Sequence, residues 1–230
     1  MKYNYDGIKR ETLFLAADNR FRNSKAFYEE HKEELKSGLV VPMRQIAAET
    51  VQDLLKLDPL MVSVPTKMVS RFRRDTRYTK DKSLYRENLW IMFMRDKHTW
   101  RGYPAFWFEV GPGGYSMGVG FYGTESGQTA LFRKYLRERT AEFLKAAKKC
   151  ESTGAYIYGS EYKKMPEGCP AGLENYYAHK DFGYIKESDR VDDLADERII
   201  EIIKNTYKAF SPMFKFMLEL SDEYYSDNDE

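Results

Sequence analysis

The chain has 230 residues, 37 basic and 36 acidic side chains, a net charge of +1, and a 42% hydrophobic and 15% aromatic composition. That length fits one large domain or two small ones, with ample material for a core. The balanced charge leaves no global field to draw the chain onto nucleic acid or an anionic membrane, and no apolar run approaches a signal peptide or the roughly 20 residues of a membrane span.

The first third reads as helical. In IKRETLFLAA (8–17) Leu13, Phe14 and Ala17 fall on one side at helical spacing, and Asp18-Asn19 breaks the pattern. Ser24 is the expected N-cap of KAFYEEHKEELK, with Phe27 and Leu35 inward, and Ser37-Gly38 is its expected stop. Pro42 suits the first turn of a third helix carrying Ile46, Val51, Leu54, Leu55 and Leu57, which Asp58-Pro59 ends.

The period then changes. KMVSRFR (67–73) is a candidate strand, and LWIMFM (89–94) is apolar on both faces, as a strand covered on both sides would be. In PAFWFEVG (104–111) Phe106, Phe108 and Val110 alternate with Trp107 and Glu109. After the turn signal Pro112-Gly113-Gly114, YSMGVGFY (115–122) sets Tyr115, Met117, Val119 and Phe121 against Ser116, Gly118, Gly120 and Tyr122. Short links between these runs predict an antiparallel meander.

A single long helix is expected over about 127–149, with Leu131, Phe132, Tyr135, Leu136, Phe143, Leu144 and Ala147 inward. The segment 153–187 is irregular, with short strands expected at 155–158 and 182–186. The stripe Ile199, Ile202, Ile203, Phe210 marks a further helix, which Ser211-Pro212 is expected to break before a last short one through Leu220. The expectation is one α+β domain over residues 1–221: a mostly antiparallel β-sheet with N-terminal, central and C-terminal helices packed on it, followed by an acidic tail, 222–230. Nothing requires Cys150 and Cys169 to pair. With no CxxC and no partnered histidines, the expected setting is the reduced cytoplasm.

The stretch RFRRDTRYTKDKSLYRE (71–87) concentrates seven cations and three anions, while the rest of the chain carries a slight negative excess. Together with NRFRNSKAFYEEHKEEL (19–35) and EYKKMPEGCPAGLENYYAHKDF (161–182), it resembles the bacterial domain-of-unknown-function 2461 family. That family's pattern joins an asparagine-rich start of an aromatic-containing helix, an R-D-x-R-F-[ST]-x-D-K-x-P-Y-K core, a glycine-rich strand pair and a K-x-P-x-G segment ending in K-x-F. Arg74, Asp75, Arg77, Tyr78, Thr79, Asp81, Lys82, Tyr85 and Arg86 match the core. Leu84 stands where the family usually has proline, which is expected to loosen one turn, and Arg86 stands where it usually has lysine. The resemblance runs over about residues 10–220 and implies the fold; it implies no established activity.

Extended backbone over 70–75 would turn Arg71, Arg73 and Asp75 one way, and Phe72, Arg74 and Thr76 the other. Guanidinium forks suit phosphates and carboxylates. The leading expectation is therefore a hollow for a small anionic ligand, bound by Arg71, Arg74, Arg77, Lys80, Lys82 and Arg86, walled by Tyr78 and Tyr85, with Asp75 and Asp81 orienting the forks. A second reading is a hydrolase-like enzyme using Asp75, Asp81 or Glu109 as acid or base. A third is a nucleic-acid or protein interaction module using the same strip as an exposed face, which a flat, exposed cluster would favour. Nucleic acid is not the expected partner on composition. The plain alternative is a salt-bridged surface loop.

Glu109 is expected to pair with an arginine of 71–77. GVGFYG (118–123) matches GxGxxG only formally, since Val119 and Phe121 continue the strand alternation; close packing accounts better for Gly118 and Gly120. KKMP (163–166) is a loop that could cover the site. His31, His98 and His179 show no ligand spacing, so no metal is assigned, and no motif names a cofactor or an oligomeric state.

Overall fold

The computed structural model describes residues 2–96, 98–121 and 123–227. Its helices are α1 (Arg10–Arg22), α2 (Lys25–Leu35), α3 (Val41–Leu54), α4 (Pro65–Met68), α5 (Ser126–Glu138), α6 (Thr140–Glu151), α7 (Glu174–Tyr177) and α8 (Arg198–Ser226). The strands are β1 (Leu89–Phe93), β2 (Pro104–Gly111), β3 (Gly114–Phe121), β4 (Tyr156–Tyr158) and β5 (Gly183–Ser188), in one antiparallel sheet of order β1-β2-β3-β5-β4. The fold is α+β. Among the described residues no helix is long and apolar enough to cross a membrane.

The chain forms two compact units. The first takes Met1–Phe93, Trp107–Met117 and Glu187–Lys204; the second takes Met94–Phe106, Gly118–Lys186 and Asn205–Glu230. In the first, α1 buries Thr12, Leu13, Ala16 and Asn19, whereas Phe14 stays 54% exposed, opposite to the sequence expectation. The Ser24 Oγ accepts the Phe27 N–H at 3.4 Å, as an N-cap should.

The helix does not stop at Ser37-Gly38. Residues 36–40 form a π-helical turn that leads straight into α3. Two physical reasons are visible. A Cβ on Gly38 would come within 2.7 Å of the Thr12 Oγ1, so the glycine admits α1 rather than ending α2. A proline ring also collides with the carbonyl four residues earlier, and the widened turn ahead of Pro42 makes room for it. Leu35, Leu39, Met43, Ile46 and Ala47 are all fully buried along this rod.

In the sheet, β2 shows the expected alternation, with Phe106, Phe108 and Val110 buried and Trp107 and Glu109 half-buried, whereas β1, expected to be covered on both sides, buries Leu89, Ile91 and Phe93 and leaves Trp90 and Met92 half-buried. The first-unit core closes on Tyr5, whose hydroxyl donates to the Leu194 carbonyl at 2.7 Å, and on Tyr115, whose hydroxyl donates to Asp193 at 3.0 Å.

The second unit is built on stacked aromatics. Phe106 lies 4.7 Å from Phe214 and 4.8 Å from Tyr207, and Phe143 meets Phe132, Tyr176, Phe182 and Phe216. The expected helix over 127–149 is two helices, divided at Arg139 (φ −120°, ψ 33°), whose side chain binds Glu142 and Glu219. Leu144 is 40% exposed in consequence.

The predicted break at Pro212 does not occur. Phe210, Met213, Phe214, Phe216, Met217 and Leu220 are at most 1% exposed, and burying six such side chains at about 1.5–3 kcal/mol each outweighs the ~3 kcal/mol cost of an interior proline. The helix also carries 222–226, part of the expected acidic tail; residues 228–230, like Tyr122, lie outside the described residues.

Gly118 and Gly120 lie within β3, and α5 begins only at Ser126, so GVGFYG is not a strand-to-helix phosphate turn. A Cβ on Gly120 would meet the Gly183 Cα at 2.7 Å and the Phe182 carbonyl oxygen at 2.8 Å. Gly120 and Gly183 let β3 and β5 approach. Both obstacles are backbone, so Gly120→Ala forces the strands apart: it should lower stability by about 1–3 kcal/mol in urea unfolding without changing the fold, the usual cost of overpacking.

Candidate functional site

The basic stretch is a hairpin in the first unit. Its arms are tied by Ser70 N–H to Trp90 O (2.8 Å), Arg86 N–H to Phe72 O (2.9 Å) and Arg74 N–H to Leu84 O (2.8 Å). Bridges join Val69 to Ile91 and Arg73 to Tyr85, so four steps on one arm oppose six on the other, and the second arm bulges between Tyr85 and Ile91. The expected alternation is present: Phe72 is buried and Arg74 and Thr76 half-buried, while Arg71, Arg73 and Asp75 are exposed. Tyr85, 4% exposed, stacks on Tyr28 of α2 at 4.7 Å.

Two carboxylates organise the tip. The Asp81 Oδ2 accepts from the Arg20 Nη2 of α1 at 2.8 Å and from the Arg74 Nη1; its Oδ1 accepts the Ser83 N–H at 2.9 Å and the Ser83 hydroxyl. The Asp75 Oδ2 accepts from the Arg77 Nη2 at 2.7 Å, and its Oδ1 from the Arg77 Nε at 3.0 Å, in a bidentate fork. The Lys82 Nζ donates to the Thr76 carbonyl at 2.8 Å. Asn23, which ends α1 in the left-handed region (φ 48°), accepts the Leu84 N–H on its Oδ1 at 2.6 Å. The asparagine-rich start of the helix and the basic core are thus two halves of one joint.

These contacts set the electrostatics. Ser83 first, through its hydroxyl and N–H, and then Arg74 hold the Asp81 carboxyl well below its ordinary range. Arg77 holds Asp75 down to about 2. Burial, with Arg74 nearby, lowers the affinity of the Arg86 guanidinium for its proton. That group donates from Nη1 to the Arg71 and Arg73 carbonyls and lies 4.6 Å from the Trp90 ring.

The arrangement corrects several expectations. Among the described residues Arg74 and Arg77 are tied to carboxylates and Arg86 to backbone carbonyls. Arg71, Arg77, Tyr78, Lys80 and Lys82 are exposed, Tyr78 by 88%; Arg74 and Arg86 are half-buried and already bonded; Tyr85 is a core residue rather than a pocket wall. The physical reason is that an uncompensated buried cation is costly, and Asp75 and Asp81 supply only enough charge for the arginines nearest them. Glu109 accepts from the Asn88 Nδ2 rather than pairing with an arginine of the hairpin. Asp75 and Asp81, locked in ion pairs, lie far from the near-neutral proton affinity that general acid–base work needs.

The first unit does contain an open cleft of about 620 Å³, but its lining includes Glu87, Asn88, Glu109, Tyr115, Glu187 and Asp189, and none of the hairpin's cations. Nothing in the sequence brought Glu187 and Asp189 to Glu109; strand order alone does so. Among the described residues no three His, Cys, Asp or Glu side chains are placed to hold a metal.

The model of a family described as "Conserved hypothetical protein (DUF2461)" matches residues 11–216. The chain belongs to this family. The match spans α1, the hairpin and the 161–182 segment, so the DUF2461 fold carries both halves of the joint. No curated protein and no solved structure matches the chain. Leu84, where the DUF2461 pattern was expected to have proline, does not loosen its turn: it supplies the N–H that Asn23 accepts, which a proline lacks. Arg86 in place of lysine provides a plane to lie on Trp90.

A carboxyl held below its ordinary value of 3.8 contributes stability that is complete above that pH and is lost as pH falls toward its folded value. In a carboxyl-detected NMR titration the Asp75 midpoint should lie at about 2; a midpoint near 3.8 would mean that the Arg77 fork does not form in solution. Asp81→Asn should leave the fold intact and speed hydrogen exchange at the Ser83 and Leu84 amides several-fold; unchanged exchange would contradict the anchoring role of Asp81.

Proposed function

We propose that the hairpin of 70–88 is a docking strip for a polyanion, single-stranded nucleic acid by preference. One observation carries this reading: the side chains of Arg71, Arg73 and Lys80 are exposed and make no hydrogen bond or ion pair among the described residues, beside a Tyr78 ring that is 88% exposed. Cations spaced along an extended arm match a phosphate backbone, and an open aromatic ring offers a platform for a base. Phe21, also 88% exposed, follows Arg20, the α1 residue that reaches the hairpin, and adds a second platform on the adjoining element.

The near-zero net charge argued against nucleic acid, but the relevant field is local. Pairing of Arg74 and Arg77 with carboxylates removes those two from service while holding the others apart. A small anion enclosed by Arg74 and Arg77 would have to displace Asp81 and Asp75, which makes the enclosed-ligand reading the weaker one. We place the activity in the cytoplasm, a reading supported by the unbridged Cys150 and Cys169.

The test is fluorescence anisotropy with a labelled oligothymidylate over a salt series. Binding should weaken with salt by a log–log slope of about −0.7 per phosphate contacted. Tyr78→Ala should cost about 1–3 kcal/mol, the scale of one stacked base. Replacing Arg71, Arg73 and Lys80 together by glutamine should abolish binding with the melting temperature unchanged. Absence of binding at low salt, or binding indifferent to the triple replacement, would overturn the proposal.

A further inference from the structure

The second unit holds another cationic cluster, built on different principles. Residues 160–162 pair with 178–180: Tyr162 N–H donates to the Ala178 carbonyl at 2.8 Å, Lys180 N–H to the Ser160 carbonyl at 2.7 Å, and Glu161 bridges to His179. Against this ladder α5 sets two arginines one turn apart. Arg133 lies 4.7 Å from the Tyr162 ring and 5.8 Å from the Tyr177 ring, and its Nε points to the Tyr177 carbonyl at 3.5 Å. Arg137 donates from Nη1 to the Tyr177 hydroxyl, which in turn donates to the Glu167 carbonyl at 3.2 Å. The Lys180 Nζ lies 5.3 Å from the Tyr162 ring.

Two nitrogens in this neighbourhood are buried without a hydrogen-bond partner among the described residues: the Arg133 Nη2 and the Nδ1 of His179, a side chain only 5% exposed. The other ring nitrogen of His179 faces Glu161 at 3.8 Å. A guanidinium cannot shed its charge, and a buried donor left unbonded costs about 1–3 kcal/mol, more when charged. Native structures rarely leave such a group unmet unless a water or an ion meets it. The surrounding charge decides what kind of acceptor fits. Arg133, Arg137 and Lys180 outnumber the carboxylates of this ladder, Glu161, which is itself largely exposed, and Asp181, which is taken up by the Ser160 N–H and hydroxyl. The acceptor that balances this cluster is an anion. Donors from separate side chains on α5 and on the 178–180 turn suit a group with several acceptor oxygens at different angles better than a flat carboxylate.

We propose that α5 and the 160–180 segment of the second unit form a binding site for a phosphate-class oxyanion, held by Arg133 and by His179 in the tautomer with its hydrogen on Nδ1, with Lys180 contributing charge. The site stands independently of the nucleic-acid strip, because its residues and its unmet donors are different.

The experiment uses the full chain at constant ionic strength, with chloride as the balancing anion. Inorganic phosphate and glycerol phosphate are each titrated, followed by thermal denaturation and by the imidazole NMR signals of the three histidines. Phosphate should raise the melting temperature and shift the ring signals of His179, assigned by their loss in His179→Gln. Glycerol phosphate binding more tightly than inorganic phosphate identifies a phosphomonoester as the ligand class; the reverse identifies free phosphate. Arg133→Gln should lose about tenfold or more in affinity, the scale of one charge-assisted hydrogen bond, whereas the triple hairpin variant should bind as the wild type does. Wild-type His179 signals indifferent to both anions overturn the site even if Arg133→Gln does not fold. Binding that survives Arg133→Gln, or that disappears in the hairpin variant, overturns it as well.

Discussion

A single carboxylate, Asp81, joins the basic hairpin to the helical part of its unit. It takes one guanidinium from the hairpin, Arg74, and one from α1, Arg20, and turns the chain through Ser83. Asn23 closes the same joint from the helix end by accepting the Leu84 N–H. Each contact is partly exposed, and singly each contributes little. Together they tie down a loop of high charge that would otherwise repel itself. A pre-ordered loop loses less conformational entropy when it binds, so rigidity here favours recognition as well as stability.

The two cationic clusters divide along a line of chemical satisfaction. In the hairpin the inward groups are bonded, and the unengaged ones, Arg71, Arg73 and Lys80, are surrounded by water. In the second unit the Arg133 Nη2 and the His179 Nδ1 are withdrawn from water and have no hydrogen-bond partner among the described residues. Hydrated cations on an open face suit a partner whose charge is spread along a chain. Buried, unmet nitrogens suit a compact anion. Counting charges along the sequence would rank the hairpin first on both tasks; burial separates them.

Much of the fold was legible because period and burial are directly linked. Alternation in 104–111 and 115–121 named the buried faces of β2 and β3, Ser24 named a helix start, and 70–76 alternated as an extended arm should. The misreadings share one cause. Gly38, Pro212 and Leu84 were judged by intrinsic preference, and each is governed by a neighbour remote in sequence: Thr12 needs the space at Gly38, the aromatic core holds α8 together across Pro212, and Asn23 uses the Leu84 N–H. The split at Arg139 is similar, since Glu219 lies 80 residues away.

Local sequence was sufficient for the class of fold, the runs that become β1, β2 and β3, the family and the density of positive charge at 71–86, because these follow from spacing and composition over a few residues. Which cations stay free was decided only in three dimensions. Ion pairing and desolvation depend on distances between side chains, and the chain sets those by bringing Arg20 to Asp81, Glu187 to the cleft of Glu109, and Arg133 to the turn before His179.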